Sequence, residues 1–231
     1  MNALTHFTEL RSRLIRCGII IILLFSILFT IDEQLYTFIA KPLLKALPTG
    51  SHLIATDVTT PFMVPMKLAL ITAVLFAAPL IFYEIWSFIA PGLYRHEKKR
   101  IYPLLSASLL LFYSGILFAY FVICPLALNF FAKSAPANVT IMTDIKAYLD
   151  FVLTVLLAGG VAFQVPVITV ALIRFNLVSG AFLAHLRPYV IVGAFTLGML
   201  LTPPDVISQI LLALPMWGYI RFFHDDISLA R

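Results

Sequence analysis

The chain has 231 residues, 61% of them hydrophobic and 12% charged, against roughly 45–50% apolar and 25% charged in an ordinary soluble domain. That excludes a water-soluble globule: at about 20 apolar residues per bilayer crossing, the content suffices for six or seven spanning helices with little left over. The formal net charge of +5 reads as a topology signal and not as a nucleic-acid surface.

The N-terminal segment carries Leu4, Phe7, Leu10 and Leu14 at helical spacing, which predicts an amphipathic helix leading into the first span. It has no small-residue cleavage site and is followed by Asp32 and Glu33, so it is expected to remain as a helix and not to be removed as a signal peptide. Spans are predicted at about 15–37, 67–89, 102–128, 148–173, 188–202 and 206–222. No strand-like alternation is long enough for a membrane barrel, and continuous apolar runs favour helices because a spanning backbone must satisfy its own hydrogen bonds. The expected fold class is therefore all-α: a polytopic membrane protein of six transmembrane helices forming a single domain over residues 1–231.

Two lengths stand out. The uncharged run of 32 residues from Ile101 to Ala132 gives about 48 Å of helix, longer than a bilayer core. The fifth and sixth spans are short, joined by the turn Thr202-Pro203-Pro204-Asp205, and predict either local bilayer thinning or ends completed by snorkelling Arg187 and Arg221. Pro79, Pro166 and Pro215 fall within spans, where each removes an N–H and frees a carbonyl four residues earlier. With Gly159 and Gly160 they point to a curved bundle with a concave face.

Positive charge is unequal across the bilayer. One side takes Arg11, Arg13, Arg16, Arg95, Lys98, Lys99, Arg100, Arg174, Arg187, Arg221 and Arg231; the other takes Lys41, Lys45, Lys67, Lys133 and Lys146. This bias puts both termini in the cytoplasm. Cys17 and Cys124 are expected at opposite ends of their spans, as two free thiols.

A small-molecule secondary transporter is the main rival function, and it calls for ionisable groups at mid-membrane. Glu84 and Asp150 lie near span ends and the deepest polar residue is Gln164. An intramembrane enzyme would need a nucleophile with its base or a set of metal ligands, and no such motif occurs; no catalytic residue, metal or cofactor is expected. What remains are two glutamates in basic surroundings, Glu9 and Glu97. Each can form a local pair, Glu9 with Arg13 at i,i+4 and Glu97 with Arg100 at i,i+3, contributing only a few tenths of a kcal/mol.

Five stretches in order, at 7–14 (Phe-Thr-Glu-Leu-Arg-Ser-Arg-Leu), 54–62 (Ile-Ala-Thr-Asp-Val-Thr-Thr-Pro-Phe), 86–99 (Trp-Ser-Phe-Ile-Ala-Pro-Gly-Leu-Tyr-Arg-His-Glu-Lys-Lys), 118–121 (Phe-Ala-Tyr-Phe) and 198–209 (Gly-Met-Leu-Leu-Thr-Pro-Pro-Asp-Val-Ile-Ser-Gln), resemble TatC, the receptor subunit of the twin-arginine protein translocase. The resemblance implies a bacterial inner-membrane receptor that binds the twin-arginine signal peptides of folded cargo at its cytoplasmic face. It further implies TatB and TatA as single-span partners, a homo-oligomeric receptor complex among membrane lipids, transport driven by the proton-motive force, and no nucleic acid. Carried over residue by residue, it assigns signal-peptide binding to Glu9, Arg11, Phe88, Leu93, Tyr94 and Glu97. It places a polar intramembrane position at Gln164, where the family often has glutamate, and docking of a partner helix at Met199, Thr202 and Gln209, with Ser208 beside them. Pro42 and Asp205 become structural positions, Pro42 in the first periplasmic loop. Carboxylates suit paired guanidinium groups because arginine donates a planar bidentate fork that lysine cannot reproduce.

Overall fold

The computed structural model describes residues 3–46, 53–89, 101–134, 142–175, 178 and 192. These are almost wholly helical: α1 (Ala3–Phe29), α2 (Asp32–Ala46), α3 (Thr60–Ile89), α4 (Ile101–Phe118), a π-helical turn at Ala119–Ile123, α5 (Cys124–Ser134), α6 (Ile145–Ala162) and α7 (Val165–Arg174). The extended backbone among them is one parallel pair of two-residue strands, β1 (Leu53–Ile54) with β2 (Thr143–Asp144). The all-α membrane fold is therefore present. Among the described residues, four helical stretches are long and apolar enough to cross a bilayer: Phe7–Phe29, Thr60–Ile89, Tyr102–Ala132 and Ile145–Ile173. The expected fifth and sixth spans and the turn between them lie outside the described residues.

The chain divides into two compact units, one of Met1–Ile39 with Ala55–Leu109 and the other of Ala40–Ile54 with Leu110–Arg231. In the first, α1 runs unbroken from its charged beginning into its apolar length, and α3 packs against it. The interface is built on small residues: Ala69 and Ala73 of α3 are fully buried against Leu28, with Ile21, Leu24, Phe25 and Leu35 packed around them. Between membrane helices, alanines at i,i+4 permit close backbone approach, which dispersion then stabilises. The turn after α1 falls inside the stretch 15–37 expected for the first span. There Thr30 N–H and Ile31 N–H donate to the carbonyls of Ile27 and Leu28 at 3.1 and 3.2 Å, tightening the helix end. Asp32 then begins α2, its Oδ1 accepting from Glu33 N–H at 2.8 Å, where a helix N-terminus favours negative charge.

In the second unit, the end of α4 and the π turn lie against α6. A Cβ added at Gly159 would come within 2.8 Å of both the Ala119 Cβ and the Gly115 carbonyl oxygen, and one at Gly160 within 2.7 Å of the Phe112 ring. The helices touch backbone to backbone there. The overlong third span is a continuous helical run from Ile101 to Ser134. Its hydrogen-bond ladder changes register at the π turn, where Cys124 N–H donates to Ala119 O, immediately ahead of Pro125. A widened turn accommodates a residue that has no N–H to offer and would crowd the preceding turn of an α-helix.

The fourth span is interrupted where the prolines predict. α6 ends at Ala162, Phe163 and Gln164 form a turn, and α7 starts with Pro166 in its first turn, a place where the missing N–H has no intrahelical role. Pro79, by contrast, is held inside α3 together with Pro65.

Candidate functional site

Glu9, Arg13 and Arg16 follow one another at i, i+4 and i+7 on α1, so one face of the helix carries all three. Further along α1 that face becomes the apolar strip that meets Ala69 and Ala73. The last turns of α3 bring Glu84 and Ser87 to its polar end. Arg13 joins the two helices. Its Nη2 donates to Glu9 Oε1 at 2.6 Å and its Nη1 donates to Glu84 Oε2 at 2.7 Å. Nη2 also reaches the carbonyl oxygen of Ser87 at 3.3 Å, one of the last carbonyls of α3, which have no intrahelical donor. Arg16 Nη1 lies 3.0 Å from the other oxygen of Glu84.

Two carboxylates thus face two guanidinium groups, and formal charge balances within the cluster. Glu84 and Arg13 are the covered members, with side chains 12% and 15% exposed, while Glu9 is 30% and Arg16 55% exposed. Arg13 Nε is buried and has no partner among the described residues. Removing water strengthens each attraction and raises the cost of leaving any one charge without its counterpart. The arrangement is chemically a guanidinium-binding site, already filled by the chain's own arginines.

Other expected positions fall as follows. Arg11 is exposed on α1, and Phe88 is partly buried in the last turn of α3. Leu93, Tyr94 and Glu97 lie outside the described residues, as do Met199, Thr202, Asp205, Ser208 and Gln209. The segment of Leu93 to Glu97 lies between α3 and α4 in the chain, and these two helices are joined by a buried hydrogen bond from Trp86 Nε1 to Ser108 Oγ, 3.1 Å long. Pro42, expected in a loop, lies within helix α2.

Gln164 is 8% exposed and forms the junction of α6 and α7. Its backbone N–H donates to Val161 O at 3.0 Å and its carbonyl accepts from Ile168 N–H at 2.9 Å, so the turn keeps its backbone bonded despite Pro166. The amide side chain makes no capping bond to α7. Among the described residues no group of three His, Cys, Asp or Glu is placed to hold a metal ion, and Cys17 and Cys124 are free thiols.

The sequence singles out Glu9 and treats Glu84 only as a poor candidate for an ion carrier, because it lies near a span end; the ion pairs of Glu84 are visible only in the structure. For Arg13 the sequence offers a place in the charge bias and a local pair with Glu9, but no partner on another helix. The available signal was the apolar run preceding Glu84, which makes a carboxylate there costly without a cation from another helix.

Residues 5–215 match the family model described as Sec-independent protein translocase protein (TatC). The chain is 51% identical over 94% of its length to the Sec-independent protein translocase protein TatC of Azotobacter chroococcum mcd 1, covering 85% of that protein. It is 50% identical over 93% of its length to the TatC of Escherichia coli K12, covering 83% of it. Its structure is similar to the crystal structure of a twin arginine translocase receptor, TatC, with a TM-score of 0.84 and 35% identity, covering 96% of this chain and 99% of that one.

Proposed function

The chain belongs to the TatC family of Sec-independent protein translocase proteins, and from that premise we propose that Glu9 and Glu97 read the paired arginines of a signal peptide. It is a membrane-embedded receptor component of twin-arginine protein translocation and not an enzyme. The observation that supports the reading is the state of Glu9: a partly exposed carboxylate at the charged end of two packed helices, engaged by a guanidinium at 2.6 Å. A site that accepts one arginine side chain has the geometry and charge to accept another.

In this reading, the beginning of α1 and the segment after α3 form the cytoplasmic face of a six-span, single-domain protein of the bacterial inner membrane with both termini inside. Arg11, Phe88, Leu93 and Tyr94 flank the two glutamates, and the peptide's apolar stretch passes towards Gln164. TatB and TatA helices dock at Met199, Thr202 and Gln209, Asp205 caps the short last helix, and Pro42 shapes the periplasmic segment after the first span. Several copies assemble in the receptor complex, and the proton-motive force drives transport. The test is crosslinking of a photoreactive twin-arginine signal peptide to Glu9→Ala and Glu97→Ala variants in membranes. Each substitution is expected to reduce crosslinking strongly; unchanged crosslinking in both contradicts the assignment.

A further inference from the structure

If Glu9 takes a peptide arginine as a bidentate fork on both of its oxygens, Arg13 must give up Oε1. Alone on α1, a glutamate and an arginine at i,i+4 neutralise each other, and the resident guanidinium competes with any arriving one. Arg13, however, is divided between two carboxylates at nearly equal distance, Glu9 at 2.6 Å and Glu84 at 2.7 Å. Glu84 is the more deeply covered of the two and also receives Arg16 at 3.0 Å on its other oxygen. When Glu9 turns to another cation, Arg13 still holds Glu84 and the Ser87 carbonyl. No covered charge is then stranded, which is the expensive outcome when one member of a desolvated pair leaves.

We propose that Glu84 is a positioning residue for arginine recognition: it retains Arg13 on α3 so that Glu9 can exchange its internal guanidinium for one from the signal peptide. The inference rests on the assignment of Glu9 above and adds a residue that never touches the peptide. Without the Glu84 charge, Arg13, Arg16 and the incoming arginine all converge on Glu9, and Arg13 keeps Glu9 for itself.

The test uses the detergent-solubilised full chain and a fluorescent synthetic peptide with two consecutive arginines ahead of an apolar stretch, read by anisotropy. Glu84→Gln is expected to weaken binding roughly fivefold, the upper range for a partly exposed ion pair. Arg13→Gln, which removes the competitor, binds at least as well as the parent, and the double variant Glu84→Gln/Arg13→Gln regains parental affinity. A merely structural role for the pair predicts the reverse, with the double variant no better than Glu84→Gln, as does a Glu84→Gln protein that fails to fold. Parental affinity in Glu84→Gln, or no recovery in the double variant, overturns the proposal. Glu9→Gln separates the two claims: loss of binding there with an unaffected Glu84→Gln refutes the role of Glu84 alone, and unaffected Glu9→Gln refutes both.

Discussion

Arg13 and Glu84 are 71 positions apart in the chain and 2.7 Å apart in the structure, and their ion pair fastens the charged end of α1 to the end of α3. With both side chains largely covered, the interaction is stronger than a surface pair but is offset by the desolvation of each charge. A double-mutant cycle of Arg13→Gln and Glu84→Gln, measured by thermal unfolding in detergent, is expected to give a coupling of about 1–2 kcal/mol. Additive losses would mean that the two charges do not support each other.

The backbone contact between α4 and α6 makes the glycines unequal. Gly159→Ala puts a methyl group against the Ala119 Cβ and the Gly115 carbonyl, neither of which can swing aside, and is expected to destabilise the protein by about 1–3 kcal/mol. Gly18, on α1, has nothing within 4 Å of an added Cβ; Gly18→Ala is expected to be neutral or to raise stability by up to about 1 kcal/mol through helix propensity. Melting temperatures of the two variants should move in opposite directions, or only the first should move.

The buried bond from Trp86 to Ser108 brackets the segment that bears Leu93, Tyr94 and Glu97. Ser108→Ala takes the acceptor from a buried indole N–H, at a cost of about 1–3 kcal/mol. If the bond holds the ends of that segment in place, peptide crosslinking near Glu97 should fall more than crosslinking near Glu9. An equal fall at both positions would indicate only a general loss of stability.

Gln164 sits in the break between α6 and α7, where a side-chain amide costs less to bury than a carboxylate. Export of a twin-arginine substrate is expected to survive Gln164→Glu and to drop in Gln164→Leu. Equal export from the parent and the leucine variant would dismiss a polar role there.

Much of this architecture was legible in the residues because it depends on local physics. Apolar runs mark the four spanning helices among the described residues, Pro166 marks the break in the fourth, and the length of the third forecasts a helix longer than a bilayer core. The π turn before Pro125 was not foreseen, since proline predicts that the ladder must change but not how. Nor was the partnership of α1 with α3. Glu9 with Arg13 is an i,i+4 relation visible on one helix, whereas Glu84 joins them only because two alanines of α3 let the helices come close. Composition registered Glu84 as one of few carboxylates, and only packing shows which cation it answers.

The reading of paired arginines by Glu9 on α1 and Glu97 after α3 is open to disulfide mapping with a signal peptide that carries a cysteine next to its arginines. Single cysteines are placed at Ser12 and His96, beside Glu9 and Glu97, and at Ser26 near the other end of α1, in a Cys17→Ala/Cys124→Ala background. Crosslinks are expected at positions 12 and 96, with little at 26, and the first two are expected to be lost when lysines replace the arginines. Crosslinking at 26 as strong as at 12, or crosslinks indifferent to the lysine replacement, would contradict that reading.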